Sequence, residues 1–129
     1  MNFELKKEDW ARFLDNLGKR RFEWMTEVQV IGANVGDQTL SNGLPLNGIT
    51  VETVGARTCI DISVGETTGH HQTHSIVNPT RVAFLAGDDS HGDVVDIEEA
   101  DGTKTLIRLI EPMGLLVGFA AYEVEVATA

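Results

Sequence analysis

Three of the four histidines crowd into one hexapeptide, G-H-H-Q-T-H, which carries His70, His71 and His74. The fourth, His91, sits in the acidic run G-D-D-S-H-G-D beside Asp88, Asp89 and Asp93. Imidazole nitrogens are the usual protein ligands of zinc and nickel, so this is where metal chemistry would reside. His70 and His74 face the same way at i and i+4 on a helix, and they also share a side on a strand, being an even number of residues apart. The spacing therefore permits a site without dictating one. His91 and the neighbouring aspartates complete it only if two loops meet. The competing reading is that these are solvated loop histidines, with His74 a hydrogen-bonded structural residue.

Other chemistry finds less support. No glutamate stands in the helical H-E-x-x-H arrangement that supplies a base beside a metal, and Cys59 is the sole cysteine. The acidic run departs from the calcium-loop pattern, which needs alternating carboxylates, a glycine at the sixth position and a glutamate at the twelfth. Acidic residues are too plentiful to single out a glycosidase pair. There is no G-x-S-x-G, no phosphate loop and no dinucleotide fingerprint, and Ser63, Ser75 and Ser90 lack a nucleophile's context. Cys59 reads as a half-buried small residue in a strand. No catalytic or cofactor-binding residue is nominated, and an enzyme that works without metal has no candidate residue.

The elements that must position these groups are legible from periodicity. The stretch Leu44 to Val64 predicts a β-hairpin with Gly55-Ala56 as a two-residue turn, which sets Val54 opposite Arg57, Val51 opposite Ile60 and Ile49 opposite Ile62. The other face then receives Glu52 with Cys59 and Thr50 with Asp61, a greasy side and a wet side. Gly55 at the first turn position suits a type II′ turn. A second hairpin is expected from Val94 to Ile110 around a three-residue loop, Ala100-Asp101-Gly102, gathering Val95, Ile97, Ile107 and Leu109 on one face with Glu98 opposite Lys104.

Ahead of these, Trp10, Phe13, Leu14 and Leu17 repeat at i, i+3, i+4 and i+7, which predicts an amphipathic helix from Lys7 to Leu17, with Gly18 as its stop. Period-two alternation from Phe22 to Ile31 predicts a strand, and Gly32 to Gly43 reads as a connection with a short extended piece near Gln38 to Leu40. The polar stretch Gly65 to Thr80 is expected to be a loop, and Arg81 to Leu85 a strand with Val82 and Phe84 sharing a face. The apolar tail from Leu115 to Ala129 is expected to add an edge strand or to pack on a neighbouring subunit. Together these give an α+β, β-dominated fold: one helix and about six antiparallel strands forming a strongly bent sheet or a small open barrel.

Composition bounds the function. At 129 residues and 14.1 kDa the chain is long enough for one domain, residues 1–129, with a helical region over 1–18 and a C-terminal extension over 117–129. The lone cysteine excludes an internal disulfide and fits a reducing, cytoplasmic setting; no run approaches a membrane span. A formal charge of −10 makes nucleic acid and anionic membrane poor partners. That charge is uneven: residues 1–24 hold six basic and five acidic side chains, residues 85–129 two basic and ten acidic.

Several short motifs in order, rather than any one alone, carry a family resemblance. An N-terminal helix with Trp10 is followed by Gly36-Asp37-Gln38, then L-P-L-N-G-I-T from Leu44 to Thr50. His74, Ile76 and Pro79 come next, then Asp101-Gly102-Thr103 with Ile107, Leu109 and Pro112. Over roughly residues 5–116 the chain resembles the short bacterial proteins grouped as domain-of-unknown-function family 5335. His70 and His71 depart from the family pattern. The resemblance implies no activity, and it directs attention to His74, Pro79 and the L-P-L-N-G turn. The resulting expectation is a non-enzymatic binding or assembly module that self-associates, or meets another protein, through an edge strand or the apolar tail. The alternative is a zinc, nickel or small-molecule site built around His74.

Overall fold

The computed structural model describes residues 2–32, 36–66, 70–87 and 92–110, with the side chains of Glu66 and His70 left aside. Among these residues eight strands run β1 (Asn2–Leu5), β2 (Met25–Gly32), β3 (Gly36–Val54), β4 (Arg57–Glu66), β5 (His70–Val77), β6 (Pro79–Leu85), β7 (Asp93–Glu99) and β8 (Lys104–Ile110). A 3-10 turn over Lys7–Asp9 leads into one helix, α1 (Trp10–Arg20). All pairings are antiparallel, and the sheet order is β1-β6-β7-β8-β2-β3-β4-β5, open at β1 and β5. The α+β, β-dominated expectation holds, with eight strands where about six were expected.

Both hairpins adopt the expected registers. Val54 faces Arg57, Val51 faces Ile60 and Ile49 faces Ile62, and Gly55 takes φ 65°, as the first residue of a type II′ turn must. In the second, Glu98 pairs with Lys104 and Val95 with Ile107, and Gly102 sits at φ 89° in the left-handed position. The loop is tightened by Asp101, whose carboxylate accepts from the Thr103 amide at 2.9 Å; that bond holds its pKa below the usual value.

The additional strands arise where local composition misleads. Gly32 to Gly43 was expected to be a connection because it is rich in Gly, Asn, Asp and Ser. From Gly36 it is instead the first half of β3, paired to β2, with Gly43 at φ 86° as the extra residue of a bulge between Asn42 and Leu44. Gly65 to Thr80 was expected to be a loop. Its residues 70–77 form β5, a polar strand whose pairing with β4 supplies what its side chains do not advertise. β1 was not anticipated; four residues carry too little pattern, and β6 recruits them through pairs such as Phe3 with Phe84.

β3 is the hinge of the architecture. Its first half pairs with β2 as far as Pro45, and its second half pairs with β4 from Leu46 onward, with a bulge at Asn47. The L-P-L-N-G segment is thus a strand corner, not a turn. Proline is tolerated there because the chain is changing partners. At the opposite end, Asn78 at φ 51° links β5 directly to β6; its amide donates to the Thr58 carbonyl at 2.7 Å and its side chain accepts from the Thr58 amide at 3.1 Å. These two corners fold β4 and β5 back over the rest of the sheet.

The interior collects Ile49, Ile60, Ile62 and Ile76 from one half and Val28, Val82, Val95, Ile97, Ile107 and Leu109 from the other, closed by Trp10, Leu14 and Leu17 of α1. The helix runs through Gly18 to Arg20, so Gly18 is not its stop. Gly18 is buried, and a β-carbon there would stand 3.2 Å from the Ile49 amide nitrogen: the glycine lets α1 lie close on β3. Phe13 packs at the edge with Phe3 and Phe84, ring centroids 5.4 to 5.7 Å apart.

Candidate functional site

The fold-back leaves a cavity of about 270 Å³ between the two halves. Val28, Leu40 and Ser41 of β2 and β3 form one wall, and Ile62, Val64, Gln72, Thr73 and His74 of β4 and β5 the other. The strands place these groups through simple alternation. Ser41 stands opposite Val28 across β2 and β3, and His74 opposite Ile62 across β4 and β5.

His74 is half-buried, and its Nε2 shares a 3.3 Å hydrogen bond with the hydroxyl of fully buried Thr105 on β8. This bond joins an edge strand to the centre of the facing sheet. Desolvation lowers the His74 pKa from 6.5, so the ring is neutral at pH 7 and keeps one donor and one acceptor. Ser41 is 7% exposed, and its Oγ is buried with no hydrogen-bond partner among the described residues. The contrast with Thr26 is direct: that residue is buried too, but its hydroxyl donates to the Leu44 carbonyl at 2.6 Å. A buried hydroxyl without a partner forfeits about 1–3 kcal/mol, and because Oγ has no accessible surface of its own, a ligand group in the cavity would meet it only once the Ser41 side chain turned toward it.

The other residues singled out by sequence are dispersed. His71 is exposed, with its Nδ1 3.4 Å from the Asn47 amide nitrogen, and the strand sends it to the face opposite His74. His70 lies at the start of β5. His91, Asp88 and Asp89 fall outside the described residues, as does the tail expected to mediate assembly. Asp93 is engaged elsewhere: its Oδ2 pairs with Arg21 at 3.1 Å and its Oδ1 accepts from the Gly87 amide at 2.7 Å. Among the described residues no three His, Cys, Asp or Glu side chains stand close enough to share a metal ion.

Sequence reasoning missed Ser41 and Thr105. Thr105 was within reach, since the alternation that puts Ile107 and Leu109 inside the second hairpin continues inward to it. Ser41 was hidden in a stretch whose composition reads as a turn.

With this geometry in place, comparison with known proteins adds the lineage. The profile of a family of unknown function, DUF5335, matches residues 1–117. The chain belongs to DUF5335. A relative from Aquifex aeolicus (strain VF5), described as an uncharacterized protein, is 23% identical over 105 residues, spanning 81% of this chain and 88% of its own. No solved structure matches. For this DUF5335 member, no helix among the described residues is long and apolar enough to cross a membrane. Lineage thus supports the domain, and chemistry has to be argued from the cavity.

Proposed function

We propose that this DUF5335 domain is a non-enzymatic binding module that holds a small uncharged molecule between its two sheet halves, with Ser41 and His74 as the polar contacts. The observation that carries this reading is the orphaned Ser41 hydroxyl on the same cavity wall system as a neutral, half-buried histidine. Among the described residues no Lys, Arg, Asp or Glu lines the cavity. A charged ligand would lose its hydration with no counter-ion to replace it. The apolar walls from Val28, Leu40, Ile62 and Val64 suit a hydrocarbon or aromatic body, and the volume lies just under the ~300–1,000 Å³ common for ligand pockets, which points to a compact molecule. A cytoplasmic setting is part of the same proposal, supported by the single free Cys59.

Ligand-detected NMR with a library of neutral fragments tests it. Binding to the native protein and its loss in Ser41→Val, which replaces the hydroxyl by a methyl group and adds a second methyl to the cavity wall, is the expected result. Equal binding to both proteins refutes the site.

A second reading, self-association through β5, rests on a separate observation. β5 pairs with β4 on one side and with no strand on the other among the described residues, and H-H-Q-T-H-S-I-V lacks the lysine, proline or acidic residue that usually guards an edge. Sedimentation velocity on native protein and Thr73→Lys distinguishes the two readings: a dimer that the lysine disperses supports assembly. A monomer in both cases leaves ligand binding as the better account.

A further inference from the structure

A groove on the other side of the molecule has the opposite character. α1 packs on β3 and reaches β1 and β6 through Phe13, which meets Phe3 and Phe84, and one stripe at i, i+3, i+4, i+7, i+8 and i+11, from Asp9 to Arg20, borders a hollow of about 370 Å³. Its floor is apolar, made by Leu5, Phe13, Leu17 and Phe84. Among the described residues its rim carries Arg12, Arg20 and Arg21 against one carboxylate, that of Asp9. In a chain of formal charge −10, three arginines around one apolar hollow are a local reversal of sign.

The helix alone does not account for the arginines. Positive charge complements a helix C-terminus, which suits Arg20 and Arg21, but Arg12 stands in the first turn, where the macrodipole disfavours a cation. Nor do internal ion pairs use up the charge. Asp9 takes Arg12 at 2.9 Å and Asp93 takes the Nη2 of Arg21 at 3.1 Å. Arg20 has no carboxylate partner among the described residues, and the Nε of Arg21 is buried without a hydrogen-bond partner there while its guanidinium stacks 4.4 Å over Trp24. Guanidinium donors in a planar fork are matched by a carboxylate.

We infer that this groove is a second binding site, independent of the His74 cavity, for a small amphipathic carboxylate whose hydrocarbon body lies on Phe13, Leu17 and Phe84 and whose head meets Arg20 and Arg21. The occupant is a single-chain organic acid, selected by charge at one end and apolar area along its length.

Isothermal titration calorimetry at low ionic strength with octanoate, octanol and octylammonium tests this on the full chain. Octanoate is expected to bind, octanol about tenfold or more weaker and octylammonium weaker still, since the charge-assisted hydrogen bonds supply the preference. Arg20→Glu places a carboxylate where the head would sit; the residue is exposed, so the fold survives, checked by circular dichroism, and octanoate affinity is expected to fall about tenfold or more. Ser41→Val is expected to leave octanoate binding unchanged, which separates this site from the His74 cavity. In Ser41→Val, where neutral ligands of the His74 cavity are lost, octanol binding as tightly as octanoate would overturn the inference, as would octanoate affinity unmoved by Arg20→Glu or no octanoate binding to the native protein.

Discussion

Between the sheet halves no Lys, Arg, Asp or Glu lines the cavity among the described residues and burial favours the neutral form of His74; along α1 the hollow is rimmed by three arginines. Both have apolar floors, and both include a buried polar atom without a hydrogen-bond partner among the described residues, Ser41 Oγ in one and Arg21 Nε in the other. The shared apolar floor gives affinity for any greasy body. The walls make the discrimination: an anion entering the His74 cavity meets no counter-charge, and a neutral molecule in the helix groove leaves the guanidinium donors unmatched. On the two proposals, one small domain presents two hollows with opposed selectivity.

The largest effects should come from the floors, which also belong to the core. Ile62→Ala and Leu17→Ala each remove a buried aliphatic side chain, at 1% and 5% exposure, and should each lower stability by about 2–4 kcal/mol in urea unfolding. Ile62→Ala enlarges the His74 cavity alone and Leu17→Ala the helix groove alone, so ligand preferences should change one at a time. A change at both from either substitution would show that the hollows are coupled.

Ser41→Ala should act in the opposite direction. Removing a buried hydroxyl that has no partner relieves an unmet hydrogen bond, so stability should rise by about 1 kcal/mol, while Thr26→Ala, which breaks a made bond, should lower it by a similar amount. Urea midpoints for the pair make the comparison internal to one sheet.

The pH dependence follows from His74. Its folded pKa lies below 6.5, so the unfolded chain binds the proton more readily, and stability is full above 6.5 and declines as pH falls from there toward the depressed folded value. His74→Gln should flatten that part of the profile, measured by melting temperature against pH. An unchanged slope would mean that His74 is solvated as it would be in the unfolded chain. The smallest effect is expected at the groove rim: Arg20→Glu should alter stability by no more than about 0.5 kcal/mol, since its side chain is exposed, while reversing the charge preference of the hollow.

Much of this architecture is written in local pattern. The two hairpin registers follow from alternation and turn chemistry, and the inner face of the helix from Trp10, Leu14 and Leu17. What escaped was whatever depends on a distant partner. β5 is polar over its first six residues and becomes a strand because β4 offers it a ladder; the first half of β3 reads as loop until β2 pairs with it. The site shares this property. His74 stands out in sequence, but its relation to Ser41 and Thr105 is created by the bend at Pro45 and Leu46, which no spacing announces. Gly18 shows the same limit in miniature, since its role is set by the backbone of β3 and not by its own helix.

The most direct measurement is made on the His74 imidazole itself, followed by NMR together with the Ile62 and Val64 methyl groups while neutral fragments are added to native protein and to Ser41→Val. The account predicts that a fragment moves all three sets of signals in the native protein and none in the variant. Signals that stay still in the native protein, or move equally in the variant, would contradict it.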